Sequence, residues 1–317
     1  MEIRIYRVVA ISILAALFLA QSMAYSAPKS ITLGLSLESL ANQFYAELKD
    51  AAIDEARKLN VDIVVLGVAH TTDIEGQVRI IEDFITKKVD LIGYMAVDSR
   101  GVVSVLQKAK KAGIPIISVD TQAEWDGDVT FISTDNVVGG FLAGTWLANA
   151  IGGEGKVAVI EGSPSTVNAD RKEGFYNALK MYPKVKVVVE VPANWRRDMG
   201  MSVTEDVLTG YPDIKGLFFL RDEMALGGLE AIRARRLQDK IRTIGYDGIA
   251  EAIQEVYKGR LGADVVQFPE VIGREFVRWA VRVLNGETPP KFINTGVAVA
   301  DTALLQKSVP ICLEVQK

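Results

Sequence analysis

The chain has 317 residues, an ordinary balance of apolar and charged side chains, and a net charge of −4 with both signs mixed along its length. Such a length suggests about two domains, and no basic patch or stripe points to nucleic acid. One cysteine, Cys312, rules out an internal disulfide and a cysteine-based metal site, and one histidine, His70, rules out a histidine cluster.

The first elements read as a targeting segment. Arg4 and Arg7 form a basic n-region, residues 8–20 an apolar core, and Ser22-Met23-Ala24 a small-x-small cleavage site. The apolar run is too short for a membrane span. No cysteine lies nearby to take a lipid. A signal peptide over 1–24, cleaved after Ala24, and a soluble exported protein without a lipid anchor are therefore expected.

After Pro28, apolar strands alternate with amphipathic helices. Strands are predicted over 31–36, 61–66, 90–94 and 116–119, and helices over 42–59, 72–87 and 100–112. Asp98 is the expected N-cap of the third helix, and Gly113 ends it. The same grammar restarts with a helix over 135–151 and a glycine-rich break at 152–155. Strands then follow over 156–161, 186–191, 217–220, 241–246 and 262–266, and helices over 167–181, 197–209, 224–232, 249–258 and 271–284. Alternating units of this kind make parallel sheets with right-handed crossovers, and their number is too large for one sheet, so two similar lobes are expected. In the stretch 216–232, Arg221 sits just past an apolar strand, where ligands bind in open parallel sheets. Asp222 and Glu223 suit the first turn of the helix that follows.

Several motifs in this order carry a resemblance. Phe44-Tyr45 precedes Leu48-Lys49-Asp50, and Pro115-Ile116-Ile117-Ser118-Val119-Asp120 precedes Thr134-Asp135-Asn136 and Gly139-Gly140. Arg171-Lys172-Glu173-Gly174-Phe175, Asp222-Glu223-Met224-Ala225-Leu226-Gly227 and Gly245-Tyr246-Asp247-Gly248 follow. With these motifs the chain resembles the ribose-binding-protein-like periplasmic sugar-binding proteins, the solute receptors of ABC importers, over essentially its whole mature length. The resemblance implies a type I periplasmic binding fold: α/β, two doubly wound parallel-sheet lobes joined by a three-crossing hinge, with the ligand cleft between them. The implied crossings lie near Thr134-Asp135, Gln267-Phe268 and residues 294–296. The N-terminal lobe would then be 29–134 plus 268–295, and the C-terminal lobe 135–267 plus 296–317.

The implied function is delivery of a monosaccharide or related polyhydroxy ligand to the importer's membrane subunits, by hinge closure around the ligand. The expected protein is a monomer without cofactor or metal, and service to a chemoreceptor is compatible with it. Sugar hydroxyls need fixed polar partners, and sugar C–H faces need aromatic planes. Asp120 and Asp247, each at a strand's carboxyl end, would accept from hydroxyls. Phe44, Tyr45 and Trp195 match the family's aromatics, and Gln267 its hinge glutamine. Ser36 and Asn42 complete that set as hydroxyl and amide partners. The loop over 37–41 is about two residues longer than the ribose pattern, which affects the placing of Ser36 and Glu38.

Three departures separate this chain from the ribose pattern. Thr121 and Ala169 stand where it has arginines, and Arg221 where it has asparagine. Asn168 and Asp170 flank the lost arginine and are candidate replacements. Arg221 would donate to the ligand and pair with Asp247 when none is bound. A pentose, hexose, linear polyol, sugar acid or amino sugar are the ligand classes left open. A receptor for a furanosyl signal of the autoinducer-2 type is the alternative on ligand. A sugar-responsive transcriptional regulator conflicts with the export signal. An enzyme is not expected: no dinucleotide fingerprint follows the first strand, and no nucleophile–base pair can be built around His70 and Cys312.

Overall fold

The computed structural model describes residues 30–70 and 73–305. The expected export signal, Thr72 at the expected start of the second helix, Cys312 and the last part of the second lobe lie outside them. The first half of the chain runs through β1 (Thr32–Leu37), α1 (Gln43–Leu59), β2 (Asp62–Gly67), α2 (Ile74–Lys87), β3 (Leu91–Tyr94), α3 (Val103–Lys111), β4 (Ile116–Val119) and β5 (Thr130–Ser133). The second half has α4 (Asn136–Ala150), β6 (Glu154–Glu161), α5 (Thr166–Leu179), β7 (Lys184–Pro192) and α6 (Arg197–Gly210). It continues with β8 (Ile214–Phe219), α7 (Asp222–Ala234), β9 (Arg242–Asp247), α8 (Ala250–Tyr257) and β10 (Ala263–Val266). The chain then returns through α9 (Pro269–Leu284), β11 (Phe292–Asn294) and β12 (Ala298–Asp301).

These strands form two six-stranded sheets, ordered β2-β1-β3-β4-β5-β11 and β7-β6-β8-β9-β10-β12. All pairs are parallel except β10 with β12. Each sheet repeats the doubly wound order in which ligands bind beyond the strand ends at the switch point. The central strands are mostly apolar because helices cover both sheet faces. In the first sheet, Phe84 of α2 packs on Gly34 and Phe276 of α9 packs on Gly93 from the opposite side. The chain passes between the sheets three times: from β5 to α4, from β10 to α9, and from β11 to β12.

The second lobe shows why its Gly-Gly motif is there. A Cβ on Gly140 would stand 2.0 Å from the carbonyl oxygen of Arg171, and one on Gly174 would stand 1.9 Å from that of Val137. Helices α4 and α5 therefore cross with backbones in direct contact, which only glycine at both positions allows.

Most predicted elements lie within two or three residues of their expected bounds. The exceptions are short. Strands β5, β11 and β12 have three or four residues each, too few for a periodic pattern to declare itself. The glycine-rich break at 152–155 already contains the start of β6. Asp98 does not cap α3: its carboxylate accepts from the backbone N–H of Arg100 at 2.9 Å and of Gly101 at 2.6 Å, closing a separate turn before the helix begins at Val103.

Candidate functional site

The carboxyl ends of the two sheets meet over a cavity with an empty volume of about 490 Å³, its open mouth included. Each wall comes from turns that follow strands. The first lobe contributes Glu38 after β1, Phe44 and Tyr45 from the first turn of α1, Met95–Val97 after β3, and Asp120 and Thr121 after β4. The second lobe contributes Ser165, Val167 and Arg171 around α5, Trp195 after β7, Arg221 after β8 and Asp247 at the end of β9. Gln267 enters from the β10–α9 crossing.

The two aspartates anchor opposite lobes. The Asp120 carboxylate accepts from the Thr121 hydroxyl at 2.9 Å and from the Tyr45 hydroxyl at 3.3 Å. Burial pushes its carboxyl up to about 6, against the pull of Arg171. Asp247 is more heavily tied. It accepts from Gln267 Nε2 at 2.9 Å and Arg171 Nη1 at 3.3 Å, and lies 3.5 Å from Arg221 Nε. Burial raises its carboxyl too, with Arg171 and Arg221 opposing.

Arg221 reaches both lobes. Besides Asp247, its Nη1 donates to Glu38 Oε1 at 3.3 Å, across the cleft. Its guanidinium lies 5.7 Å from the centre of the Tyr45 ring and 5.8 Å from that of Trp195, and the residue is only 5% exposed. Burial works against the Arg221 charge. The surrounding Glu38, Tyr45 and Asp247 override it and hold the guanidinium more basic than usual. Arg171 is fixed as firmly. It stacks 3.6 Å from the centre of the Tyr246 ring, donates to Asn136 Oδ1 at 2.9 Å, and donates to the Leu220 carbonyl.

Three lining residues have backbone in the positive-φ region that side chains avoid: Asp120 at 59°, Trp195 at 62° and Asp247 at 132°. Each such residue costs about 1–3 kcal/mol unless its surroundings hold it, and such strain gathers at ligand sites. Both anchoring carboxylates are thus turned into the cavity by backbones their sequence would not choose.

Of the residues singled out from sequence, eight line the cavity: Phe44, Tyr45, Asp120, Thr121, Trp195, Arg221, Asp247 and Gln267. Four do not. Ser36 lies under the floor, where its hydroxyl accepts from Gln77 Nε2 at 3.1 Å, because that glutamine also holds the Met95–Val97 backbone. Asn42 is the N-cap of α1, accepting from Phe44 N at 2.9 Å. Asn168 is used up by Gly162 N at 2.9 Å and Glu161 Oε2 at 3.1 Å. Asp170 lines a separate outer groove with Asn168, since α5 turns those positions away from the cavity. Arg171, Glu38 and the backbone after β3 were missed. A motif marked Arg171, but nothing in the spacing aimed it inward, whereas the position of Met95–Val97 beyond a strand end was a usable signal.

Two wound lobes facing each other over an aromatic-lined, charged cavity define a class, the two-lobed solute receptor. The chain belongs to the periplasmic binding protein family, whose domain matches residues 33–288. It is 33% identical to the ribose import binding protein of Bacillus subtilis over 290 residues, 91% of this chain and 88% of that one. It is also 33% identical to the D-ribose/D-allose-binding protein of Pseudomonas aeruginosa, over 83% of this chain and 85% of that one. A solute-binding protein of Actinobacillus succinogenes, solved with bound D-allose, superposes with a TM-score of 0.83 at 31% identity, covering 88% of this chain and 100% of that one. Another from Agrobacterium radiobacter, in complex with D-arabinose, gives 0.84 at 27% identity over 90% and 99% of the two chains. Among the described residues, no helix is long and apolar enough to cross a membrane.

Proposed function

We propose that this protein is a periplasmic receptor that closes its lobes around one neutral monosaccharide and presents it to the membrane subunits of an ABC importer. The observation that carries the reading is the pairing of Asp120 and Asp247, from different lobes, across a cavity edged by Phe44, Tyr45 and Trp195. Carboxylates accept from vicinal hydroxyls, and the aromatic rings cover the sugar's C–H faces. The relatives named for ribose and allose, and the neighbours holding allose and arabinose, support the same ligand class. They lend nothing to a furanosyl signal or a transcriptional regulator.

The charges of the wall argue for a neutral sugar. Three carboxylates (Glu38, Asp120, Asp247) and two guanidiniums (Arg171, Arg221) line the cavity, and both guanidiniums already face carboxylates. A sugar acid would bring a further anion into that surplus. Three thin crossings between the sheets permit hinge closure, driven by the ligand's greater affinity for the closed form. The basic and apolar leader supports export and removal after Ala24, so the periplasmic protein should begin at Tyr25 by mass spectrometry.

Thermal unfolding with D-ribose, D-allose, D-arabinose, a uronic acid and an amino sugar tests the ligand. At least one neutral sugar should raise the midpoint, since a ligand held only by the folded state stabilises it. A uronic acid outranking every neutral sugar would overturn the reading.

A further inference from the structure

Behind Asp247 lies a second pair of carboxyls that takes no part in lining the cavity. Asp222 opens α7 and Asp264 sits in β10, and both side chains are fully buried. Asp222 Oδ2 accepts from Gly248 N at 2.9 Å and Ile249 N at 3.0 Å, which ties α7 to the turn that follows Asp247. Asp222 Oδ1 and both oxygens of Asp264 have no donor. The two carboxyls border the same small space beside Gly245, where a Cβ would lie 2.5 Å from Asp222 Oδ1 and 3.3 Å from Asp264 Oδ2, and each shifts the other's ionisation at that range. Two buried carboxylates cannot both be ionised at such range, whereas a carboxylic acid can donate to its carboxylate neighbour.

We propose that Asp264 is a positioning residue: it shares one proton with Asp222, and the bridged pair holds the Asp247 turn in its ligand-binding, positive-φ geometry. The proton satisfies Asp222 Oδ1 and leaves Oδ2 free to grip Gly248 and Ile249. Among the charged groups on the described elements packed around the pair, β9, β10, α7 and α8, Asp247 acts on both members and opposes their ionisation. Burial acts in the same direction and pushes Asp222 up to about 8. The part of the proposal that concerns affinity rests on the sugar-receptor reading above; the proton itself does not.

The sign follows from linkage. Burial and the neighbouring carboxyl keep the pair's proton on the folded protein from the ordinary carboxyl range through neutral pH, with Asp264 held well above its usual value, while in the unfolded chain both carboxyls release theirs near pH 4. The folded state therefore binds more protons, and stability falls as pH rises through that window, the folding equilibrium constant dropping about tenfold per pH unit for one retained proton. Asp120 and Asp128 titrate lower, at about 6, and Asp247 is raised in wild type and variant alike, so the difference between their slopes from pH 6.5 to 8 reports this proton.

The experiment measures urea unfolding of the mature protein from pH 6.5 to 8, without ligand, for wild type, Asp264→Asn and Asp222→Asn. Wild type should lose stability with pH, and Asp264→Asn, whose amide supplies the donor permanently, should lose less, by up to about tenfold per pH unit in the folding constant. Asp222→Asn gives the same readout should the first variant fold poorly. In parallel, wild type at pH 7.5 should show the infrared carbonyl band of a protonated carboxylic acid, which Asp264→Asn removes. Affinity for whichever of D-ribose and D-allose binds should fall at the alkaline pH where the pair loses its proton in wild type and stay level in Asp264→Asn. A flat wild-type stability profile, or no acid band at pH 7.5, would overturn the shared proton. Equal alkaline loss of affinity in wild type and variant would overturn the positioning role. Binding of neither sugar, with the slope and band intact, would strike the cavity reading and the positioning role while leaving the shared proton standing.

Discussion

At the scale of single residues, Asp247 and Arg221 bear most of the cavity's electrostatics. A charge-assisted hydrogen bond contributes about 1.5–3 kcal/mol, so Asp247→Ala should weaken sugar binding about ten- to a hundredfold by calorimetry. Arg221→Ala should do the same and also lower stability, because Glu38 and Asp247 are then left buried without their cation. Unchanged affinity in both variants would remove the site assignment. Asp120, as a proposed ligand acceptor, should make the binding pH-dependent at the acid end. Burial raises its carboxyl to about 6, so the accepting carboxylate is lost below that pH and affinity should fall between pH 7 and 5. Its effect on stability runs the other way: the folded state holds this proton between the ordinary carboxyl range near pH 4 and about 6, so stability falls as pH rises through that interval. The sequence pointed to both aspartates because each follows an apolar strand. It could not tell that Asn42 and Asn168 spend their amides on local backbone, since capping and binding use the same residue types.

At the scale of elements, the β8–α7 unit places three acidic or basic neighbours in three different settings. Arg221 turns into the cavity, Asp222 turns into the core beneath the Asp247 loop, and Glu223 stays near the surface with Arg197 at 2.8 Å. The helix-dipole reading of Asp222 and Glu223 is thus incomplete, because Asp222 is fully buried and holds a neighbouring turn. The α4–α5 crossing gives a sharper test of packing. Gly174→Val would drive a side chain into the Val137 carbonyl, 1.9 Å from the new Cβ. The clash is with backbone, which cannot rotate away, so a loss of about 1–3 kcal/mol or more is expected in urea unfolding. Lining residue Arg171 is on the same helix, so sugar affinity should fall with it.

At the scale of the whole molecule, the Glu38–Arg221 pair is the charged contact that joins the two walls directly, at 3.3 Å with both side chains buried. Its attraction should favour the closed arrangement before any sugar enters. Glu38→Gln removes that attraction and should shift the ligand-free protein toward an open form, seen as a larger radius of gyration by small-angle scattering, with saturating sugar restoring compactness. An identical ligand-free radius in wild type and variant would show that the pair does not bias the hinge. Seats for such a pair exist only because each sheet is doubly wound and presents its strand ends to the other.

The sequence by itself determined the alternation of elements, the two wound lobes, the family and most of the cavity's inner wall. The alternation and the lobes follow from apolar periodicity, a local property of the chain, whereas the family and, with it, Phe44, Tyr45, Trp195 and Gln267 of the wall are what the resemblance of the motifs implies. Tertiary structure alone decided which polar groups were already spent. Ser36 is claimed by Gln77, forty-one positions away, and Glu38 finds Arg221 across 183 positions. It also set the positive-φ backbone at Asp120, Trp195 and Asp247, and brought the Asp222 and Asp264 carboxyls together beside Gly245. Burial and pairing at such separations are properties of the closed core, because desolvation, charges and hydrogen bonds supplied by distant neighbours change what a carboxyl or a guanidinium can do.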